Sequence, residues 1–287
     1  MTNFPVHSVS VFGPGLMGGS LLMALRQRVP GLRLGAWARR EESLQTLKDH
    51  GLVDFSGTDA AAVARETGLA VLCVPVEQME SVARSLAPGL PATSWVTDVG
   101  SVKQQLVASL EEIFSEHGNF VGSHPMCGSE QAGFAAARSD LYDSALCVVT
   151  PTASTKPAAI DAVAAMWQSV GAKVVRMTAP EHDRAAATAS HVPHVVAAAL
   201  VQLVEQGAPQ ARKMCAGGFR DTTRIAAGSP GLWTGILAAN RQEVGAELAR
   251  MGELIEDVRG MLLRGENDKL HGFLERAASA RAEIAGS

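Results

Sequence analysis

Polar side chains of the types used in catalysis are concentrated in four short segments of this chain. Residues 98–103 read Asp-Val-Gly-Ser-Val-Lys, and residues 123–130 read Ser-His-Pro-Met-Cys-Gly-Ser-Glu. Residues 190–194 contain two histidines, and residues 217–224 contain arginines and an aspartate. Histidine titrates near neutral pH and can exchange protons, whereas the planar guanidinium of arginine binds carboxylates. Packing explains none of these segments, so they are candidate sites of chemistry.

A glycine-rich segment precedes them. Gly13, Gly15 and Gly18 match the pattern G-x-G-x-x-G, directly after a predicted strand and at the start of a predicted helix. In a dinucleotide-binding loop the first glycine permits a tight turn, and the second lets the backbone approach the pyrophosphate. The third lets the helix pack closely on the strand, so that the helix N-terminus faces the anion. This context predicts a nicotinamide dinucleotide site.

The end of the second predicted strand favours NADP over NAD. An acidic residue about 20 positions after the loop normally binds the ribose hydroxyls of NAD. Here Trp37 and Ala38 are followed by Arg39 and Arg40, with no acid before Glu41. Two guanidinium groups could bind the 2′-phosphate of NADP. Alternatively, both arginines are ordinary solvated residues and NAD is accepted without the acid. The predicted cofactor contacts are Gly13, Gly15, Leu16, Met17, Gly18, Arg39, Arg40, Val74, Pro75, Asp98 and Ser101.

The elements that position these groups follow an alternating pattern. Apolar runs predict strands at residues 8–12, 32–37, 69–74, 94–97, 120–121, 145–149 and 172–176, and segments of helical period separate most of them. This pattern indicates an α/β fold with a Rossmann-type, doubly wound and mainly parallel sheet over residues 1–178. After Pro180 strand patterns end, which predicts an all-helical domain over residues 179–287. The two domains account for all 287 residues, so we expect no fused regulatory domain.

Composition excludes several classes of protein. The chain is 47% hydrophobic and 19% charged, which predicts a packed core rather than disorder. A net charge of −4 argues against nucleic acid as a partner, because binding it needs clustered positive charge. The four cysteines are scattered, which predicts a reducing, cytoplasmic location without disulfides. The N-terminus lacks a signal-peptide pattern, and the longest apolar run, residues 192–204, is shorter than the roughly 20 residues of a membrane span. We therefore expect no membrane association.

Four motifs, taken in chain order, resemble the prephenate/arogenate dehydrogenase family of tyrosine biosynthesis. They are Gly-Leu-Met-Gly-Gly-Ser from residue 15, Asp-Val-Gly-Ser-Val-Lys from residue 98, Ser-His-Pro-Met-x-Gly-Ser-Glu from residue 123 and Gly-Phe-Arg-Asp-Thr-Thr-Arg-Ile-Ala from residue 218. The sequence departs from the family pattern at Cys127, where alanine is usual, and in the missing acid after Trp37. The second departure leaves the choice of cofactor open.

The resemblance implies an oxidative decarboxylation of prephenate. Hydride leaves ring atom C4 for the nicotinamide, the C4 hydroxyl loses its proton, and the ring carboxylate departs as CO₂. By this likeness His124 accepts the proton, Ser101 lies between the hydroxyl and the nicotinamide, and Arg224 holds the ring carboxylate. His194 would contact the substrate side chain, with His191 and His182 supporting it.

The resemblance also implies a homodimer formed by the helical domain. Gly217 and Trp233 would come from the partner subunit, and Asp221 would lie near the site entrance. The spacing of His191 and His194 is also compatible with a metal site. The implied chemistry needs no metal, so we predict none.

Three alternatives remain at this stage. Arogenate dehydrogenase would use the same residues on an ammonium-bearing substrate, whereas His194 favours the keto acid of prephenate. A β-hydroxyacid dehydrogenase would need a catalytic lysine on the helical domain, for which Lys213 is the candidate. A dinucleotide-binding regulator without turnover is disfavoured by the intact set of Ser101, His124 and Arg224.

Overall fold

An eight-stranded sheet organises the first part of the chain, whose computed structural model describes residues 4–115, 119–128 and 131–286. The strand order is β3-β2-β1-β4-β5-β6-β7-β8, and every pair is parallel except β6 and β7. Because the order reverses between β1 and β4, a crevice opens at the carboxyl ends of these strands. The strands are β1 (Ser8–Phe12), β2 (Arg33–Trp37), β3 (Phe55–Gly57), β4 (Leu69–Leu72), β5 (Trp95–Asp98), β6 (Phe120–Pro125), β7 (Leu146–Thr150) and β8 (Lys173–Arg176).

Helices cover both faces of this sheet. They are α1 (Leu16–Arg28), α2 (Glu41–Asp49), α3 (Ala60–Ala64), α4 (Val76–Leu86), α5 (Gln104–Ile113) and α6 (Pro157–Ser169). Val11 of β1 belongs to a core that includes Leu25 of α1 and Trp167 of α6. The next residue, Phe12, belongs to a second core that includes Val82 of α4. Successive strand residues point to opposite faces, so a central strand such as β1 buries residues on both faces, including Ser8 and Ser10 beside its apolar residues.

The structure confirms the predicted Rossmann-type fold and differs from it in two places. The short strand β3 was not predicted, because its three half-buried residues carry no apolar run. Strand β6 extends to Pro125, so His124 lies within the strand rather than beyond its end. The extension is built by antiparallel pairing with β7, which places His124 opposite Val148.

From residue 179 to residue 286 the described chain consists of helices and their connections. They are α7 (Ala179–Ala186), α8 (Val192–Gln206), α9 (Pro209–Lys213), α10 (Gly217–Thr223), α11 (Pro230–Ala239), α12 (Arg241–Arg264) and α13 (Asn267–Gly286). A π-helical turn over Ala187–His191 joins α7 to α8 without a break. Pro193 follows this turn and has no N–H to donate to the preceding turn, so the wider turn accommodates its ring.

The continuous helix Ala179–Gln206 is long and apolar enough, by length and composition, to cross a membrane. A core helix of a soluble protein meets the same criteria, so this one helix does not indicate a membrane span. By internal contacts, residues 1–240 form one compact unit and residues 241–287 a second. The predicted domain boundary at residue 178 stays a prediction.

Candidate active site

The glycine loop between β1 and α1 has the geometry that its sequence predicts. Gly13 has a φ of +104°, and a Cβ there would lie 2.6 Å from Cγ1 of Val74 and 2.9 Å from the backbone oxygen of Cys73. At Gly18 a Cβ would overlap the side chain of Val11. Glycine is therefore required at both positions, by conformation at the first and by helix–strand packing at the second.

This loop fits the pyrophosphate of a dinucleotide. A Cβ on Gly15 would meet no atom within 4 Å, so the backbone is open to a ligand there. Gly15 supplies no capping side chain to α1 and the first turn of α1 contains no acidic residue, which leaves its N–H groups available to an anion. The N–H of Gly13 donates to the Trp37 oxygen at 3.0 Å, which joins the loop to the end of β2. Arg39 and Arg40 follow that end and are exposed.

A cleft of about 570 Å³ opens beside this loop. Among the described residues that line it are eight of the predicted site residues: Leu16, Met17, Val74, Pro75, Ser101, His124, Arg224 and Trp233. His191, Gln131 and Ile236 line it as well. The cleft thus brings residues of the glycine loop together with residues from the ends of β4, β5 and β6 and from the helical region. Ser129 and Glu130, the end of the motif that contains His124, lie outside the described residues.

His124 is held by a hydrogen-bonded chain behind the cleft. Its Nδ1 lies 2.8 Å from Nε2 of His182, and Nδ1 of His182 lies 2.8 Å from Oδ1 of Asp183. All three side chains are buried. Burial lowers the pKa of His124 well below its ordinary value, and the neighbouring His182, Lys103 and His191 lower it further. His124 is therefore a neutral imidazole at neutral pH and can accept a proton.

Asp183 is fixed by the start of α5. Its Oδ1 accepts the N–H of Lys103 at 2.7 Å, and its Oδ2 accepts the N–H of Gln104 at 2.8 Å. Burial alone would raise the pKa of Asp183, but hydrogen bonds from His182 and from these two backbone groups give it a lowered pKa. Asp183 is therefore an ionised carboxylate that caps α5 from a distant part of the chain.

Asp98 and Lys103 form a second buried carboxylate site. The two side chains are paired with each other and are 0% exposed. Asp98 also accepts the N–H of Gly100 at 2.8 Å and the N–H of Ser123 at 3.0 Å. Both oxygens of the Asp98 carboxylate are therefore engaged in hydrogen bonds within the protein, and these bonds fix the backbone around Ser101. Asp98 does not line the cleft, and its predicted contact with the cofactor stays a prediction.

The histidines of the helical region have separate surroundings. Nδ1 of His191 lies 3.1 Å from Nδ2 of Asn240, and burial lowers the pKa of His191 to about 4. The ring of His194 is stacked on Trp233, with 3.5 Å between centroids and 11° between planes. Burial also lowers the pKa of His194. The expectation that His182 supports His194 is wrong, because His182 is bonded to His124.

Trp233 lies in the cleft of its own chain. It contacts His194 of that chain, and the expectation that a partner subunit supplies this residue to the site stays a prediction. α11 belongs to the same compact unit as the sheet, and there Trp233 stacks on His194 of α8. Gly217 and Asp221 lie on the exposed helix α10 and do not line the cleft, so their roles stay predictions.

Sequence reasoning missed Asp183 and Asn240 as parts of the site. Asp183 lies in none of the four motifs, and Asn240 has no motif around it. One signal was present: Thr178 and Glu181 form a capping box, which places the start of α7 just before His182. That spacing would have placed Asp183 in the first turns of a helix, but not against α5.

A dinucleotide loop next to a cleft with a neutral histidine defines an NAD(P)-dependent oxidoreductase. Comparisons with known proteins agree. The nucleotide-binding domain of prephenate dehydrogenase matches residues 23–176, and the dimerization domain of prephenate dehydrogenase matches residues 178–276. The prephenate dehydrogenase of Bacillus subtilis is 32% identical over 94% of this chain and 70% of its own length. This chain belongs to the prephenate dehydrogenase family.

Two solved structures resemble the whole chain. Prephenate dehydrogenase from Aquifex aeolicus, in complex with hydroxyphenyl propionate and NAD+, has a TM-score of 0.90 at 30% identity, covering 97% of this chain and 98% of that one. Arogenate dehydrogenase from Synechocystis has a TM-score of 0.85 at 28% identity, covering 96% of this chain and 99% of that one. The predicted family resemblance is thereby confirmed.

Proposed function

We propose that this protein is a prephenate dehydrogenase that prefers NADP. The observation that carries the proposal is the cleft itself, in which Ser101, His124 and Arg224 lie together beside residues of the glycine loop. A nicotinamide bound there supplies the hydride acceptor for C4 of the substrate. The protein residues then have to orient the ring, take the hydroxyl proton and hold the carboxylate that departs as CO₂.

His124 takes the proton from the C4 hydroxyl. Its imidazole is neutral and lines the cleft, so it meets both requirements of a general base. The same proton balances the end of the reaction, because loss of CO₂ leaves a phenolate oxygen that must be protonated. Ser101 positions the hydroxyl, and Arg224 holds the ring carboxylate until it departs.

Prephenate fits the described cleft better than arogenate. None of the described residues that line it is acidic, so the ammonium group of arogenate would find no carboxylate there. The similarity to the arogenate dehydrogenase of Synechocystis keeps that activity as the second candidate. Lys213, on which a β-hydroxyacid mechanism would depend, is exposed on α9 and does not line the cleft.

The preference for NADP rests on Arg39 and Arg40. Both are exposed directly after β2, where the second ribose of a dinucleotide lies in this fold, and no acid precedes Glu41. Arg40→Asp should lower kcat/KM with NADP more than with NAD, because it replaces a phosphate ligand with a negative charge. Arg65→Asp, an exposed arginine on another loop, is the matched control.

The decisive assay combines two substrates with two cofactors. Prephenate with NADP should give the highest kcat/KM, measured by the absorbance of the reduced cofactor. Turnover of arogenate alone would replace the proposed substrate, and a kcat/KM with NAD equal to or above that with NADP would remove the cofactor preference. Arg224→Gln should chiefly raise KM for the substrate, whereas His124→Asn should chiefly lower kcat.

We also propose that the protein is a cytoplasmic homodimer. The match to the family's dimerization domain supports the dimer, and so do large apolar side chains that the single chain leaves exposed. These include Leu203, Met214, Leu254, Leu262 and Leu263. The four free cysteines support a reducing compartment. Light scattering after size-exclusion chromatography should give twice the chain mass of 30.0 kDa, and a single-chain mass at micromolar concentration would contradict the dimer.

A further inference from the structure

We propose that His182 and Asp183 are positioning residues that fix which nitrogen of His124 carries a proton. This inference rests on the proposed function, in which His124 accepts the hydroxyl proton of the substrate. The three side chains form one line of hydrogen bonds with 2.8 Å at each step. Only the far end of that line, His124, lines the cleft.

The direction of every bond follows from Asp183. An ionised carboxylate can only accept hydrogen bonds, and Asp183 accepts from Lys103, Gln104 and His182. Nδ1 of His182 therefore carries a proton, and because a neutral imidazole carries a proton on only one nitrogen, Nε2 of a neutral His182 has the lone pair. That lone pair must accept from Nδ1–H of His124. The remaining nitrogen of His124, Nε2, is then the one with a lone pair for the substrate.

The surroundings of His182 and Asp183 prevent the directions of these hydrogen bonds from reversing. His182 and Asp183 are 2% and 3% exposed, so water does not compete for their hydrogen bonds. Both carboxylate oxygens of Asp183 are tied to the first amides of α5, whose own first residues provide no capping side chain. Nδ2 of Asn240 donates to the backbone oxygen of Asp183 at 2.8 Å. The carboxylate therefore cannot rotate away from His182.

The chain also supports His124 after it has taken the proton. The resulting imidazolium keeps its Nδ1–H directed at His182, and the buried negative charge at the end of the line stabilises the positive charge. The arrangement extends the serine-protease principle, in which a buried aspartate sets the tautomer of a catalytic histidine. Here a second histidine is inserted between the aspartate and the base.

Asp183→Asn tests the proposal directly. An amide offers one oxygen to three N–H donors, and its NH₂ group can face Nδ1 of His182 and reverse both tautomers. We expect kcat to fall by about 10²- to 10⁴-fold, with KM for NADP changed less than about threefold. Asp161→Asn, which removes an exposed carboxylate on α6, should leave kcat unchanged and is the matched control.

A pair of variants at His182 separates positioning from packing. His182→Gln keeps an oxygen that can accept Nδ1–H of His124, whereas His182→Phe keeps bulk and loses the acceptor. We expect the glutamine variant to retain at least tenfold more kcat than the phenylalanine variant. Equal kcat values, or a more active phenylalanine variant, would show that the site needs only volume and would overturn the proposal.

Nitrogen-15 NMR of histidine-labelled protein without substrate reads the tautomers independently of turnover. His124 should be protonated on Nδ1 in the parent protein and on Nε2 in Asp183→Asn. Protonation on Nε2 in the parent protein would overturn the inference, even if prephenate is turned over. If the tautomers are as expected but the protein does not turn over prephenate, the inference stands and only the proposed function is refuted.

Discussion

Acid should destabilise this protein through His191. Burial lowers its pKa from 6.5 to about 4, so between these pH values the unfolded chain binds a proton that the folded protein does not. The free energy of unfolding therefore rises with pH across this window and is lost as pH falls below 6.5. The full effect is about 3 kcal/mol, because each pKa unit corresponds to about 1.36 kcal/mol. At pH 5 about 2 kcal/mol of it is already lost.

His191→Asn removes this titration with little change in local hydrogen bonding. The asparagine oxygen can accept from Asn240, as Nδ1 of His191 does. Any loss of packing against Trp233 is independent of pH. Urea unfolding followed by circular dichroism at pH 7 and pH 5 gives the free energy of unfolding for each protein. The parent should lose about 2 kcal/mol more than the variant between the two pH values.

His271→Asn, at an exposed position on α13, is the control and should lose as much as the parent. His124 and His194 are present in all three proteins, and His191 is the last of the causes that lower the pKa of His124, so most of their contribution cancels in the comparison. Equal losses in the parent and in His191→Asn would show that burial does not lower the pKa of His191.

Three further outcomes are expected. The acid limb of kcat/KM should lie below pH 6.5, because burial keeps His124 neutral to lower pH, and a limb at or above 6.5 in a pH–rate profile would contradict this. Gly13→Ala should weaken NADP binding at least tenfold in a fluorescence titration, because its φ of +104° and the approach to Val74 exclude a methyl group; an unchanged Kd would be inconsistent with the loop geometry. Burial raises the pKa of Tyr142 well above its ordinary value, so this single tyrosine should give no tyrosinate absorbance near pH 10 until the protein unfolds, and a signal from the native protein would show that the ring is accessible.

Local patterns made the dinucleotide loop predictable. The turn at Gly13, the packing at Gly18 and the start of α1 all depend on residues within a few positions of one another. The parallel sheet was also predictable, because strands buried on both faces form mainly apolar runs separated by helical segments. Strand β3 escaped prediction because it is short and half-buried.

The support of His124 could not be predicted, because its partners are distant in sequence. His124 and His182 are 58 residues apart, and Asp183 caps a helix that begins 79 residues before it. No periodicity or motif encodes such pairings; they depend on how α7 packs against α5. The same limit applies to Trp233, whose contact with His194 follows from the turn before α11.

The cap that Asp183 provides to α5 also has a consequence for synthesis. A nascent chain of 178 residues contains the glycine loop, the sheet and His124, but neither His182 nor Asp183. Such a chain has the elements that bind a dinucleotide while its base has no fixed tautomer and α5 has no cap. Competence for the chemical step therefore arrives later than competence for the cofactor, when the helical segments that carry His182, Asp183 and Arg224 have been translated and have docked.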